Sequence, residues 1–344
     1  MVKPTSQKIS SLELGRVLAM AAILLLHSQV LLTYALVDET PWLGYIVNQV
    51  CRFAVPFFFL LSGYLIEPKL NQQPFTTLSR YSRPLVKIWL VWSLICLAMP
   101  FNLQVVAEQG YLAERTGYWD WLMQTPLNSL LEGGLVHLWF IPGLLCALLI
   151  IATLTHAHKT MLILPLASAL YVYGVLAGSY QEVTELSAPF FTRNGPFFSL
   201  LMVALGYQIR KSDFSISSAQ ALLLAAVGMC IHFAEAYWLS RQGIAFNIHD
   251  FLFGTPIWVV GIFMFLLAKP NLGQDVPWLF RLSSAILGIY VAHLPVIILM
   301  NNFAGALELS AFKRDAVIVI GSAIATWLLV EAIDRSKLKR LLLR

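Results

Sequence analysis

A chain of 344 residues with 58% hydrophobic and only 12% charged side chains, at a mean hydropathy of +0.73, cannot clothe a soluble domain, which carries about 25% charge. The net charge of +5 is too small to point to nucleic acid. The four cysteines, Cys51, Cys96, Cys146 and Cys230, fall in apolar runs without CxxC or metal-ligand spacing, so neither a disulfide framework nor a metal site is expected. These features define an all-α, polytopic integral membrane protein.

The segment MVKPTSQKISSLELGR lacks the short apolar core and small-residue cleavage site of a secretory signal, so the first helix is expected to be retained. A hydrocarbon core about 30 Å thick needs apolar runs of about 20 residues, and ten such runs follow in order. They lie near 12–33, 44–66, 84–103, 137–155, 160–178, 195–210, 218–240, 251–268, 283–301 and 315–334. The stretch 119–131 suggests one further short interfacial helix. No loop reaches the size of a soluble fold, and no internal repeat marks the inverted halves of a transporter, so the chain reads as one transmembrane domain, 1–344.

Cytoplasmic loops carry the excess of Lys and Arg. With the N-terminus inside, seventeen of the 23 basic residues fall on the inner side, from Lys3 and Lys8 to Arg340 and Arg344. Five fall outside, namely Arg115, Arg193, Arg241, Lys313 and Arg314, and Arg52 lies within the second span. Both termini are therefore expected in the cytoplasm, with the inner basic runs facing anionic lipid headgroups of the bilayer.

The first span, from Ser11 to Tyr34, carries Arg16 near its start and His27 deep inside. Eleven residues of helix separate them by about 16 Å on nearly one face. Ionisable groups inside a span are costly and mark function by default. In the second span, running inward through NQVCRFAVPFFFLLSGYLIEPK, Arg52 lies about 12 Å below the outer surface, and His27 lies at about 9 Å. A guanidinium at that depth favours a neutral imidazole, the form a general base requires. The bland alternative has Arg52 snorkelling outward and His27 bonded to a backbone carbonyl.

Beyond Ser62 and Tyr64, the inner loop gives Lys69 and then RYSRPLVK. An early helix start would stack Arg80, Arg83 and Lys87 on one face, a surface for a phosphorylated ligand; the same residues also serve simple positive-inside anchoring. At the outer side, His137 and Trp139 open the fourth span, and Arg193 and Asn194 open the sixth. They suit a polar acceptor, or an interfacial aromatic belt. His293 is a second intramembrane imidazole, followed by Pro295, a kinking residue. Glu235, His249 and Asp250 read as a solvated outer rim, and His156 and His158 as a solvated inner loop.

Arg16 and His27 with ten residues between them, RFAVPFFFLLSGYL, RYSRP, HLWFIPGLL, RNGPFFSLLMVALGY and LGIYVAHLP together resemble the acyltransferase 3 family of integral membrane acyltransferases. The nearest likeness within it is to bacterial surface-polysaccharide O-acetyltransferases of the enterobacterial common antigen type. The likeness extends over essentially the whole chain and rests on the order of the motifs. Where the family often reads Asp-x-Leu-Arg-Gly, this chain has Glu13-Leu14-Gly15-Arg16-Val17, with the acid kept and the glycine moved.

The resemblance implies transfer of an acyl group, usually acetyl, from cytoplasmic acyl-coenzyme A to a hydroxyl of a surface glycan or its lipid-linked precursor, in the bacterial inner (plasma) membrane. His27 then acts as base or as a covalent acyl carrier, Arg52 stabilises the oxyanion, and Arg16 guides the donor. Ser62, Tyr64, Arg80, Arg83 and Lys87 become the acetyl-CoA site, and His137, Trp139, Arg193, Asn194 and His293 the acceptor site, with no metal. A secondary transporter or flippase for a glycan-lipid is the rival class, since it too buries His and Arg in ten spans.

Overall fold

The computed structural model describes residues 9–34 and 36–343, and no strand occurs among them. Lys3, Lys8 and Arg344 of the inner basic set lie outside the described residues. In chain order the helices are α1 (Ser10–His27), α2 (Trp42–Cys51), α3 (Ala54–Leu70), α4 (Pro74–Ala98), α5 (Leu103–Gln109), α6 (Tyr111–Gln124), α7 (Pro126–Glu132) and α8 (Phe140–His156). They continue as α9 (Ile163–Leu176), α10 (Gln181–Thr184), α11 (Pro196–Ser212), α12 (Ser218–Ser240), α13 (Gly254–Ala268), α14 (Pro277–Ser284), α15 (Ile286–Ala306), α16 (Ala311–Ala316), α17 (Ser322–Arg335) and α18 (Lys339–Leu342).

Each of the ten expected runs corresponds to a helix or a pair of helices. Among the described residues, seven helical stretches are long and apolar enough to cross a membrane. The other three runs form shorter helices, at α9, α11 and α13. The chain is therefore an all-α polytopic membrane protein. The segment expected to hold one interfacial helix at 119–131 falls instead on two, the second half of α6 and most of α7, and α5 precedes them.

Three of the differences from the expected boundaries have a clear local reason. The first span stops at His27 instead of continuing to 33. There the Ser28 hydroxyl and amide both turn back to the Leu24 carbonyl, Gln29 and Leu31 take left-handed backbone, and the Leu31 amide donates to Asp315 at 2.7 Å. The second span breaks between α2 and α3, at Arg52 and Phe53, where the Arg52 amide reaches Gln49 instead of the residue four back. The third begins ten residues early, with Pro74 in the first helical turn, where its missing N–H costs nothing.

Helices α3 and α11 cross closely, as small residues permit in a membrane bundle. A Cβ on Gly63 would stand 2.0 Å from the Val203 carbonyl oxygen, and one on Gly206 would stand 1.9 Å from that of Leu60. Around this crossing, Phe57, Leu60 and Leu61 of α3 pack with Ala19, Met20 and Ile23 of α1 and with Val291 and Ala292 of α15. This central layer carries the ionisable groups.

Candidate active site

Three histidines from three distant segments meet inside the bundle. His27 ends α1, His137 sits in a 3-10 turn (Val136–Trp139) ahead of α8, and His293 lies on α15. The His293 ring is 5.2 Å from that of His27 and 5.2 Å from that of His137. His137 and His293 are buried.

Hydrogen bonding fixes two of the tautomers. A carbonyl oxygen can only accept, so His293 Nδ1, 2.5 Å from the Tyr290 carbonyl, must carry the proton. His137 Nε2, 3.1 Å from the Val291 carbonyl, must do likewise. The other nitrogens, His293 Nε2 and His137 Nδ1, are buried without a partner among the described residues. Each is then a lone pair poised to accept a proton or a hydrogen bond. Tyr290 ties the cluster together, because its hydroxyl donates to the His137 carbonyl.

Below this cluster a cavity runs toward the helix ends that carry the basic loop. Its mouth, about 390 Å³, is lined by Lys69, Gln73, Thr77 and Arg80. Its neck, about 190 Å³, is lined by Ile23, Val55, Phe140 and Tyr290. Arg16, Phe58, Ser62 and Tyr81 line both, so the two form one passage. Ile23 and His27 are four residues apart on α1, and Tyr290 and His293 three apart on α15. The neck therefore ends about one helical turn short of the imidazoles. Arg16 is held by Glu13 at 2.9 Å, and Glu13 also accepts from the Ser283 hydroxyl.

Above the cluster lies a chain of charges. Arg52 Nε donates to Asn48 at 3.2 Å and Nη2 to the Asn247 carbonyl at 3.0 Å, while Nη1 pairs with Asp250. Asp250 also receives Arg193 at 3.2 Å, and Arg193 reaches Glu132 at 2.7 Å. Arg52, Arg193 and Asp250 lie within electrostatic range of His27. Burial alone would raise the Asp250 carboxyl, but the two guanidiniums outweigh it and hold the group below the usual carboxylate range. Burial, aided by Arg52, pushes the neighbouring His249 imidazole down to about 4, so it is neutral at physiological pH. A second cavity, about 570 Å³, opens beside Arg193, His249 and Asp250.

The expected residues therefore divide. Arg16, Ser62 and Arg80 line the basic-mouthed passage, and His27, His137 and His293 form one cluster. Arg52 and Arg193 share one carboxylate, and Asn194 is buried with its amide donating to Asn128 and Glu132. Tyr64 does not line the passage: its hydroxyl accepts from Arg210 at 3.1 Å, and its ring packs on Phe263. Arg83 and Lys87 share the helix but not the cavity lining, and Lys87 reaches the Arg340 carbonyl. Trp139 is a packing residue wedged against Phe59 and Phe198, outside both cavities.

The rim expected to be solvated is built into the fold instead. Glu235 accepts from the Tyr180 hydroxyl and the Phe253 and Gly254 amides, His249 is buried, and Asp250 bridges two arginines. Asp250, read from the sequence as rim, belongs to the site, and Glu132 and Tyr81 carry no sequence signal that singles them out. Nor does His232, which is buried between Gln49 and Thr255. An acid following a histidine between two apolar spans, as in Ile248-His249-Asp250-Phe251, is the available signal for the first.

The fold and the site together define a helical membrane bundle with a basic-mouthed cavity that leads toward a cluster of imidazoles. Residues 9–331 match the acyltransferase 3 family, described as an acyltransferase domain, and the chain belongs to that family. A serine/alanine racemase of Enterococcus gallinarum is 26% identical over 75% of this chain and 38% of its own length. An amino-acid racemase of Enterococcus faecalis is 22% identical over 94% of this chain and 46% of its own length. The chain thus spans less than half the length of these curated relatives. No solved structure matches it.

Proposed function

We propose that the protein is an O-acetyltransferase of a bacterial plasma membrane, moving an acyl group from cytoplasmic acetyl-CoA to a hydroxyl of a surface polysaccharide or its lipid-linked precursor. The observation that carries this reading is the passage from Arg80 past Arg16 to a point one turn below His27 and His293. Its basic mouth suits phosphates, and its apolar neck suits a thin, uncharged thioester arm. The racemase names of the relatives belong to proteins more than twice the length of the shared stretch, and the reading rests on the family match instead.

In the reaction, the acceptor oxygen bonds to the acyl carbon while the carbon–sulfur bond breaks. The hydroxyl proton passes to His27 and leaves with the coenzyme A thiol, so atoms and charge balance. His293, whose ring lies 5.2 Å from that of His27 and whose Nε2 has no partner among the described residues, supports the proton transfer. Arg52 supplies a fixed positive charge for the carbonyl oxygen as it becomes an oxyanion, and Asp250 holds that charge in place. A glycan hydroxyl arrives from the second cavity, next to the same Asp250.

Mass spectrometry of the host's surface glycans, with and without the gene, tests the reading. Loss of acetyl groups from one glycan on deletion is the expected result. Glycans of unchanged mass overturn it, and unchanged mass with altered sidedness marks a flippase in its place.

A further inference from the structure

The second cavity has features beyond its position. At about 570 Å³ it lies within the range of small-ligand pockets, roughly 300–1,000 Å³. Two of its lining side chains carry buried polar atoms with no partner among the described residues: both ring nitrogens of His249, which is 1% exposed, and Arg193 Nε. Unpartnered buried donors and acceptors are costly in an apo site, and aligned on one cavity they point to a ligand that satisfies them.

The charge pattern says which kind of ligand. The lining itself sets one guanidinium, Arg193, against two carboxylates, Asp250 and Glu182, and Arg193 is already paired with Asp250 and Glu132. The cavity therefore presents no surplus positive charge to a phosphate or a carboxylate, whose desolvation would go uncompensated. A neutral hydroxyl group suits the site: it donates to the Asp250 carboxylate or an imidazole nitrogen, and accepts from Arg193. Phe190, Phe191 and Phe251 supply apolar surface around these groups. Phe251 is braced by Phe198, stacked at 4.4 Å, and the 191–194 wall by Asn128, which accepts from the Phe191 amide at 2.7 Å.

We infer that this cavity binds an uncharged sugar ring of the acceptor through Asp250, Arg193 and His249, and discriminates against acidic sugars and against a pyrophosphate-bearing portion of the acceptor. The inference rests on the acyltransferase reading and adds the substrate class of its acceptor side.

The test uses the full chain in lipid nanodiscs and ligand-observed saturation-transfer NMR. The neutral probes are methyl glucoside, methyl galactoside and methyl N-acetylglucosaminide, and the anionic probes are glucuronate and glucose 1-phosphate. Acetyl-CoA affinity is measured on the same preparations. At least one neutral glycoside binds at least tenfold more tightly than either anion, and His249→Ala weakens that binding tenfold while acetyl-CoA affinity stays within twofold. Binding of the anions as tight as that of the glycosides overturns the inference, as does the absence of glycoside binding or unchanged glycoside binding in His249→Ala. If that variant does not fold, His249→Gln replaces it, and the comparison of probes on the unsubstituted chain decides by itself. Glycoside binding without acetyl-CoA binding sinks the acyltransferase reading and leaves the sugar site standing; acetyl-CoA binding without glycoside binding does the reverse.

Discussion

His27 and His293 face each other with ring centres 5.2 Å apart, although they come from the first and ninth spans of the chain. His293 keeps Nε2 unprotonated because the Tyr290 carbonyl holds the proton on Nδ1. Removing a general base costs about 10² to 10⁴ in rate. His27→Ala is therefore expected to insert normally, bind acetyl-CoA and lose acylation by a factor in that range. His27→Asn is expected to be nearly as inactive, because an amide cannot take the proton. His293→Ala is expected to lower kcat with little change in the donor KM. His156→Ala, at an exposed helix end, leaves the rate unchanged. The measurement is acylated glycan per unit of inserted protein; full activity in His27→Ala moves the base to His293 or His137.

At the mouth of the passage, the structure separates two arginines that the sequence treats alike. Arg80 lines the mouth of the passage together with Lys69 and Thr77, whereas Arg83, three residues on, does not. Charge-assisted contacts to phosphate contribute mainly to binding. Arg80→Ala should raise the acetyl-CoA dissociation constant by about tenfold, an order-of-magnitude figure for one such contact. Arg83→Ala should have a smaller effect. Isothermal titration of both purified variants checks this, and an equal loss in both would place Arg83 in the mouth as well.

Much of this arrangement was legible in the sequence because membrane spans advertise themselves by length and apolarity. Arg16 and His27 stand out as ionisable groups in hydrocarbon, and an early start of the third helix is expected to stack Arg80, Arg83 and Lys87 on one face, of which only Arg80 lines the cavity. What was not legible is what depends on tertiary partners. Asp250 looks like a loop residue until Arg52 and Arg193 converge on it from two other spans. Trp139 looks like an interfacial anchor until Phe59 and Phe198 enclose it. Nothing local marks Tyr64 as turned toward Arg210 and away from the passage.

Packing at the α3–α11 crossing leaves no room for a side chain. The atoms that a Cβ on Gly63 or Gly206 would meet are backbone carbonyls, which cannot rotate aside. Gly63→Ala and Gly206→Ala should each destabilise the protein by about 1–3 kcal/mol, the usual cost of overpacking. Gly110→Ala and Gly117→Ala provide contrast: neither meets an atom within 4 Å, and only the first also sits at a φ of 90°. Thermal unfolding in detergent should therefore rank Gly117→Ala as least affected. Crossing variants as stable as Gly117→Ala would mean that α3 and α11 do not approach this closely.

The final prediction is sidedness. Seventeen basic residues against five place the mouth of the passage, with Lys69 and Arg80, on the cytoplasmic side, and the Arg193–Asp250 cavity on the outer side. The proposed reaction asks for the same polarity, since it takes its acyl group from a cytoplasmic donor and delivers it to an external acceptor. Each successive span reverses direction, so α3 and α11 should both deliver their C-terminal ends inward, while the segments around α6 and α10 stay outside. Reporter fusions after Leu70 and after Lys211 are expected to read as cytoplasmic, and fusions near Glu114 and Glu185 as external. An inverted pattern at all four positions would put the basic mouth outside, where no acyl-CoA pool exists, and would remove the donor role from Arg80 and Arg16 together.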